Sequence, residues 1–307
     1  MTRFILYYLL FTITNSVSQN DIKSEDFLIT NENIELPGTL TYSKNSKHLI
    51  IWVHGSGNVD RNGNQAGVNV NANYIKQFRD AVNKNDIAFF SYDKRTANPK
   101  NTQFLKGIVF DDLVSDLKSV IIFLKKKKSF KEIILVGHSQ GSLIAMLASN
   151  EADKYISLAG PGEAIDQTII KQVTSQSKPL GDIAKAHVKE LKETGTIKEI
   201  NPYLISLFAK PNHPFLSNWF QYNPSEEISK VKLPTLIING DNDLQVKISD
   251  AKQLKASKSD AELKIIKNMN HVLKTVTSPG DNQASYFSSK FPISEELINV
   301  VTEFVKK

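Results

Sequence analysis

The most informative segment of this chain is Ile133-Ile134-Leu135-Val136-Gly137-His138-Ser139-Gln140-Gly141. Its first four residues are apolar and mostly β-branched, which predicts a fully buried strand. A Gly-x-Ser-x-Gly pattern follows, and residues 142–150 have the composition of a helix. A serine on a sharp turn between a strand and a helix is held clear of its neighbours, where a base can activate its hydroxyl. The context therefore predicts a catalytic Ser139. The alternative is an ordinary glycine-rich turn.

Strands and helices alternate on both sides of this segment. Buried strands are predicted at 48–53, 87–92, 155–158, 235–239 and 262–266, after an antiparallel pair at 27–30 and 33–42. Such alternation is typical of the α/β class, in which a mostly parallel, twisted sheet is covered by helices on both faces. The active site of such a sheet is expected at the carboxyl ends of its strands.

Two further loops at predicted strand ends carry groups that suit a serine nucleophile. Asp243 lies in the loop after strand 235–239, and His271 follows strand 262–266. In this interpretation His271 takes the proton from Ser139, and Asp243 holds the imidazole in the required tautomer. The chain order serine, aspartate, histidine is that of the α/β-hydrolase triad. Asp241 is the alternative orienting carboxylate, in which case Asp243 would close or cap the turn.

An acyl-transfer enzyme also needs hydrogen-bond donors for the oxyanion that develops during the reaction. One predicted donor is the backbone N–H of Gln140, the residue after the nucleophile. The other is the backbone N–H of Ser56, in the turn His54-Gly55-Ser56-Gly57 after strand 48–53. The alternative is a plain glycine turn, which explains the glycines but not their position after a buried strand.

The strand rhythm stops between about residues 164 and 225. An insertion at this place is expected to form a helical cap over Ser139. Six aromatic residues of the insertion lie within one stretch of twenty positions: Tyr203, Phe208, Phe215, Trp219, Phe220 and Tyr222. They predict an apolar acyl or aryl pocket. The alternative is that they only pack the cap onto the core.

Composition is that of an ordinary globular protein. The chain has 307 residues, of which 40% are hydrophobic and 23% charged, with a net charge of +6 and no cysteine. The absence of cysteine excludes disulfides and thiolate metal sites. No nucleic-acid motif accompanies the basic charge, so we expect a solvated basic surface and no nucleic-acid partner. Neither a cofactor nor a metal is required by the predicted chemistry.

The first eighteen residues have the pattern of a secretory signal peptide. A cation at Arg3 precedes a short apolar run at 4–13, and small residues follow near Ser18. The apolar run is too short to span a bilayer. We therefore expect a signal peptide over 1–18 and an exported domain over 19–307, periplasmic or secreted. A buried first strand or an uncleaved anchor is the alternative.

Taken together, the motifs resemble the α/β-hydrolase superfamily. More narrowly, the chain resembles bacterial exported hydrolases of the serine aminopeptidase-like (hydrolase_4) group and dienelactone-hydrolase-like esterases. The segments that carry the resemblance are 53–57, 60–61, 92–95, 137–141, 158–161, 240–246 and 270–271. The resemblance implies that Ser139, Asp243 and His271 form the triad. Thr96 departs from the glycine that related sequences often carry there, which leaves the roles of Asp93 and Arg95 open; we expect a structural ion pair.

The predicted activity is hydrolysis of small-molecule carboxylic esters through an acyl-enzyme intermediate. The same triad also serves peptidases, amidases and thioesterases, so these remain alternatives. A non-catalytic binding protein on the same fold is a further alternative, although every catalytic position is filled.

Overall fold

An eight-stranded sheet forms the centre of the protein in the computed structural model, which describes residues 21–65, 67–127 and 130–307. The strands are β1 (Lys23–Asn31), β2 (Ile34–Tyr42), β3 (His48–Val53), β4 (Ile87–Tyr92), β5 (Glu132–His138), β6 (Lys154–Leu158), β7 (Thr235–Gly240) and β8 (Glu262–Ile266). The predicted signal peptide, residues 1–18, lies outside the described residues, so export stays a prediction.

The strand order in the sheet is β1-β2-β4-β3-β5-β6-β7-β8. The pairs β1–β2 and β2–β4 are antiparallel, and all the other neighbours are parallel. The chain leaves β3 for β4 on one side and then crosses to β5 on the other. In open parallel sheets such a switch point opens a crevice at the carboxyl ends of the strands. Here the crevice lies between the ends of β3 and β5, where Val53 is in register with Gly137.

Helices cover both faces of the sheet. They are α1 (Tyr74–Asn83), α2 (Phe110–Lys127), α3 (Gln140–Leu147), α4 (Ile165–Gln176), α5 (Lys178–Thr194), α6 (Ile205–Phe208), α7 (His213–Trp219), α8 (Pro224–Lys230), α9 (Ile248–Ser257), α10 (Pro279–Ala284) and α11 (Glu295–Lys306). Short 3-10 helices lie at Pro99–Phe104, Ser149–Glu151, Pro202–Leu204 and Lys210–Asn212. Within the described residues, no helix is long and apolar enough to cross a membrane.

The alternation of side chains along a strand explains the continuous apolar sequences. In β3, Leu49 and Ile51 join the core beneath α2 and α3, whereas Ile50 and Trp52 join the core beneath α1 and α11. A strand buried on both faces needs apolar residues at every position. The predicted α/β fold, a mostly parallel sheet with helices on both faces, is confirmed.

The predicted helical insertion lies between β6 and β7. Helices α4 to α7 enclose a small core of their own, which includes Val188, Leu191 and Phe208. Helix α7 lies against α2, where Trp219 stacks on Phe110 at a ring-centroid distance of 5.2 Å.

The polar segment between β8 and α11 contains a short helix. It is α10, at Pro279–Ala284. The Ser278 side chain accepts the backbone N–H of Asp281, and Pro279 occupies the first helical turn. A serine cap followed by proline is a helix-start signal that is local and therefore readable in the sequence.

Candidate active site

Ser139 lies on the turn between β5 and α3, and its backbone is strained. Its φ is 54° and its ψ is −124°, a region that non-glycine residues rarely occupy. The strain is maintained by the surrounding structure, including the hydrogen bond from the Ser139 N–H to the Leu158 carbonyl at 3.0 Å. Strain of this kind is typical of functional sites.

The glycines on either side of Ser139 are required by close backbone packing. A Cβ atom at Gly141 would lie 2.1 Å from the Val53 carbonyl oxygen, and one at Gly137 would lie 2.4 Å from the Gly141 carbonyl oxygen. Both positions therefore exclude any side chain. This contact draws the end of β3 towards the turn that presents Ser139.

Asp243 and His271 form a buried pair at the ends of β7 and β8. The His271 Nδ1–H donates to Asp243 Oδ2 at 2.8 Å, and both side chains are almost fully buried. The other carboxylate oxygen, Oδ1, accepts the backbone N–H groups of Gln245 and Val246 at 2.8 and 2.9 Å. Burial alone would raise the pKa of Asp243, but His271 and these donors outweigh it and hold the pKa below its usual value. The carboxylate therefore stays ionised, and it fixes the His271 tautomer with Nε2 free to act as a base.

Asp241, the alternative orienting carboxylate, has a different partner. Its Oδ1 accepts the backbone N–H of Asn268 at 2.6 Å and so ties the β7 loop to the β8 loop. The structure thus gives Asp241 a turn-closing contact and brings Asp243 to His271.

The two predicted oxyanion turns meet at Ser139. A Cβ atom built on Gly55 would lie 3.1 Å from the Ser139 Cβ, so the turn after β3 passes beside Ser139. Ser56 borders the same cavity as Ser139 and His271. Gln140, the first residue of α3, is buried.

That cavity has a volume of about 130 Å³. The residues that line it are Gly55, Ser56, Val59, Gln65, Val70, Tyr74, His138, Ser139, Gln245, His271, Val272 and Tyr286. Most of the walls therefore come from the loop after β3, the start of α1 and residues near the two triad loops. The Gln245 Nε2–H donates to the Tyr286 hydroxyl at 3.2 Å across the rim.

The inserted segment does not supply the walls of this cavity, contrary to our expectation for its aromatic residues. Phe215, Trp219 and Tyr222 pack around Phe110 of α2. Phe208 belongs to the core of the insertion, and so does Phe220. Tyr203 is 82% exposed. Phe215, Trp219 and Tyr222 therefore join the insertion to α2, as the alternative interpretation expected, whereas Phe208 and Phe220 pack within the insertion itself.

The expected ion pair between Asp93 and Arg95 is wrong. Arg61 binds Asp93 with its Nη2 2.9 Å from Oδ2, and Arg95 binds Asp116 with its Nε 2.7 Å from Oδ2. Both contacts are structural, since they fix the loop after β3 and the start of the β4 loop respectively.

Two buried histidines flank the site and are neutral. His138 donates its Nε2–H to the His271 carbonyl at 2.8 Å and so anchors the backbone of His271. Burial, reinforced by the nearby His271, lowers the pKa of His138 to about 3. Burial, reinforced by Lys94, also lowers the pKa of His54 to about 3.

These two groups make stability depend on pH. An unfolded histidine takes up a proton near 6.5, whereas the folded groups resist protonation down to about 3. The unfolded state therefore binds more protons over that window, and the free energy of unfolding falls as pH falls from about 6.5. Each histidine contributes about 1.4 kcal/mol per pH unit. Urea unfolding at pH 7, 6 and 5 measures the slope.

His54→Leu is the matched variant for this measurement. It removes one of the two titrating groups and should lower the slope between pH 6 and pH 5 by slightly less than about 1.4 kcal/mol per pH unit, whatever its stability at pH 7. Equal free energies of unfolding at pH 7 and pH 5 in the unmodified protein would contradict the prediction.

Within residues 21–65, 67–127 and 130–307, no group of three His, Asp or Glu side chains is arranged to hold a metal ion. The groups that converge on the cavity are instead a strained serine, a histidine held by a carboxylate, and two backbone turns. This set can support nucleophilic attack on a carbonyl carbon.

Comparison with known proteins agrees with the fold and defines the family. The fold and the order of the site residues are those of the α/β-hydrolase superfamily, and solved structures of that superfamily superpose on the chain. Est1E from Butyrivibrio proteoclasticus matches with a TM-score of 0.58 and 16% identity, over 92% of this chain and 99% of that one. The esterase Pf2001 from Pyrococcus furiosus matches with a TM-score of 0.56 and 19% identity, over 97% and 95%.

The BD-FAE family model matches residues 39–257, and the chain belongs to that family. A curated relative is esterase EstD from Thermotoga maritima, which is 22% identical over 282 residues. The alignment covers 89% of this chain but 66% of EstD, so the chain spans less than two thirds of that relative. The α/β-hydrolase superfamily is thus confirmed, whereas the narrower resemblance to the hydrolase_4 and dienelactone-hydrolase-like groups is not.

Proposed function

We propose that this protein is a serine esterase that cleaves carboxylic esters through an acyl-enzyme on Ser139. The observation that carries the proposal is that Ser139 and His271 border one cavity while Asp243 holds His271 from behind at 2.8 Å. Relatives named as esterases support this reading, EstD by sequence and Est1E by fold. The structure of Est1E has also been solved with ferulic acid, a carboxylic acid, bound to it.

The placement of the groups supports the following reaction. Ser139 Oγ attacks the ester carbonyl carbon while His271 Nε2 takes its proton, and Asp243 stabilises the resulting imidazolium. The carbonyl oxygen becomes an oxyanion that accepts the N–H groups of Ser56 and Gln140. The intermediate collapses, the C–O bond to the alcohol breaks, and His271 returns the proton to the departing alkoxide. Water, deprotonated by His271, then attacks the acyl carbon of the acyl-enzyme. The bond between that carbon and Ser139 Oγ breaks, His271 returns the proton to Oγ, and the carboxylic acid leaves.

The cavity favours short, uncharged acyl groups. Its volume of about 130 Å³ is small beside the roughly 300–1,000 Å³ of typical ligand pockets. Val59, Val70 and Val272 supply apolar surface, and Tyr74 and Tyr286 supply aromatic surface. We propose that acetyl to butyryl esters fit, and that longer chains meet the wall formed by the loop after β3.

The experiment is a substrate panel with the purified protein. It compares p-nitrophenyl acetate, butyrate and octanoate with an aminoacyl-p-nitroanilide and an acyl thioester, and it includes labelling by a fluorophosphonate. We expect the short esters to be hydrolysed at least about tenfold faster than the octanoate, since each misfitting methylene costs of order 1 kcal/mol. Preferred cleavage of the anilide or thioester would reassign the substrate class. Absence of both hydrolysis and labelling would favour a non-catalytic binding protein.

A further inference from the structure

Lys94, just beyond the end of β4, is a buried cation with an unusual pair of contacts. Its side chain is 7% exposed. Its Nζ donates to the Gly55 carbonyl oxygen at 2.8 Å and to Gln140 Oε1 at 2.9 Å. Burial of an ammonium group costs free energy, so we expect a buried lysine to have a specific role. Asp116, the acidic group that acts on it through space, is already bound by Arg95.

Both contacts are to the turns that carry the oxyanion donors of the proposed function. The Gly55 carbonyl and the Ser56 N–H belong to one peptide group, which is trans and planar. In such a group the N–H points opposite to the carbonyl. A hydrogen bond that holds the Gly55 oxygen on Lys94 therefore directs the Ser56 N–H away from Lys94, and Ser56 borders the cavity beside Ser139.

The contact between Lys94 and the Gln140 side chain helps to position the second oxyanion donor, which is the backbone N–H of Gln140. The Gln140 side chain is bound to the same Nζ that holds Gly55, and Gln140 supplies the other N–H. One ammonium group thus ties the turn after β3 to the first residue of α3. Hydrogen bonds to a charged donor are stronger than neutral ones, and they polarise the peptide group that accepts them.

We propose that Lys94 is a positioning residue that orients both oxyanion donors. The proposal rests on the proposed function, because the donors matter only if an oxyanion forms at Ser139. Burial lowers the pKa of Lys94 to about 7. A neutral amine still has two N–H groups for its two acceptors, so the geometry persists in either protonation state.

The test is Lys94→Met, which keeps most of the unbranched apolar part of the side chain and removes its hydrogen bonds. We expect kcat for p-nitrophenyl butyrate to fall about 10- to 100-fold, somewhat less than for loss of an oxyanion donor itself, with KM changed by less than about twofold. A trifluoromethyl ketone, whose serine adduct carries an oxyanion, should bind more weakly by a similar factor. If Lys94 had a purely structural role, its loss would not lower kcat and the ketone affinity by a similar factor.

Lys154→Met is the matched control. Lys154 is also a buried lysine, but it lies at the start of β6 and its Nζ contacts Glu132 and the Val305 carbonyl. Its loss should lower stability without changing kcat or ketone affinity. An equal loss of kcat in Lys154→Met would overturn the proposal, because the effect would then be general destabilisation.

Folded Lys94→Met with unchanged kcat and ketone affinity would overturn the proposal while leaving the esterase function intact. Full activity in Ser139→Ala would instead overturn the proposed function. If Lys94→Met does not fold, Gln140→Leu removes one acceptor and keeps the backbone N–H. We then expect about a three- to tenfold loss of both kcat and ketone affinity. No change in either would overturn the positioning role.

Discussion

Ser139→Ala is expected to fold normally and to lose ester hydrolysis by several orders of magnitude. The hydroxyl that is removed is the nucleophile of the proposed reaction, and none of the remaining groups can form the acyl-enzyme. Stability should change little, because the backbone contact of this residue runs through its N–H to Leu158, which alanine retains. Steady-state rates with p-nitrophenyl butyrate and urea unfolding measure the two effects separately.

Ser142→Ala is the matched control, since Ser142 lies three residues further on in α3. Its hydroxyl is buried and contacts the hydroxyls of Tyr155 at 2.7 Å and Ser157 at 2.8 Å. Its removal should cost about 1–3 kcal/mol of stability and leave turnover nearly unchanged. Retention of more than a few per cent of hydrolysis in Ser139→Ala would refute the nucleophile assignment.

The parts of the fold that could be predicted from sequence are those with local signals. The apolar runs that became β3 and β5 have no polar gap, because each strand is buried on both faces. The turn at Ser139 is marked by Gly137 and Gly141, which the close packing of the backbone requires. Parallel strands bring their carboxyl ends to one edge, so strand-end residues such as Asp243 and His271 could be expected to meet.

The walls of the cavity could not be predicted in this way. Tyr74 and Tyr286 line the cavity with Ser139 only through the tertiary fold, and nothing near either of them in sequence marks it. The loop after β3 carried a weak signal, since its polar and glycine-rich composition follows directly on the predicted oxyanion turn.

Charge pairing and aromatic packing were misjudged for a related reason. Neighbours in sequence suggested that Asp93 and Arg95 pair, yet their partners Arg61 and Asp116 lie 32 and 21 positions away. The aromatic residues of the insertion predicted that it buries apolar side chains, but composition alone does not identify the residues against which they pack. In the structure Phe215, Trp219 and Tyr222 pack on Phe110 of α2, and Phe208 and Phe220 pack within the insertion.

The second large effect on kcat is expected from substitution of a carboxylate in the loop after β7. Asp243→Asn should reduce kcat by about 10 000-fold, because an amide in this place no longer holds an imidazolium or enforces the Nδ1–H tautomer. Asp241→Asn should reduce kcat by less than about tenfold, because its carboxylate closes a turn through the Asn268 N–H and does not contact His271. The measurement is kcat for both variants at a pH where the unmodified protein is fully active.

The two substitutions are chemically identical and two residues apart, so each is the control for the other. Both remove one negative charge from the same loop, so a long-range effect of the loop's charge would lower both rates. The contact with the base differs, since Asp243 Oδ2 is buried and lies 2.8 Å from His271 Nδ1. A larger loss in Asp241→Asn would show that Asp241 orients the base during turnover, and that the loop rearranges when substrate binds.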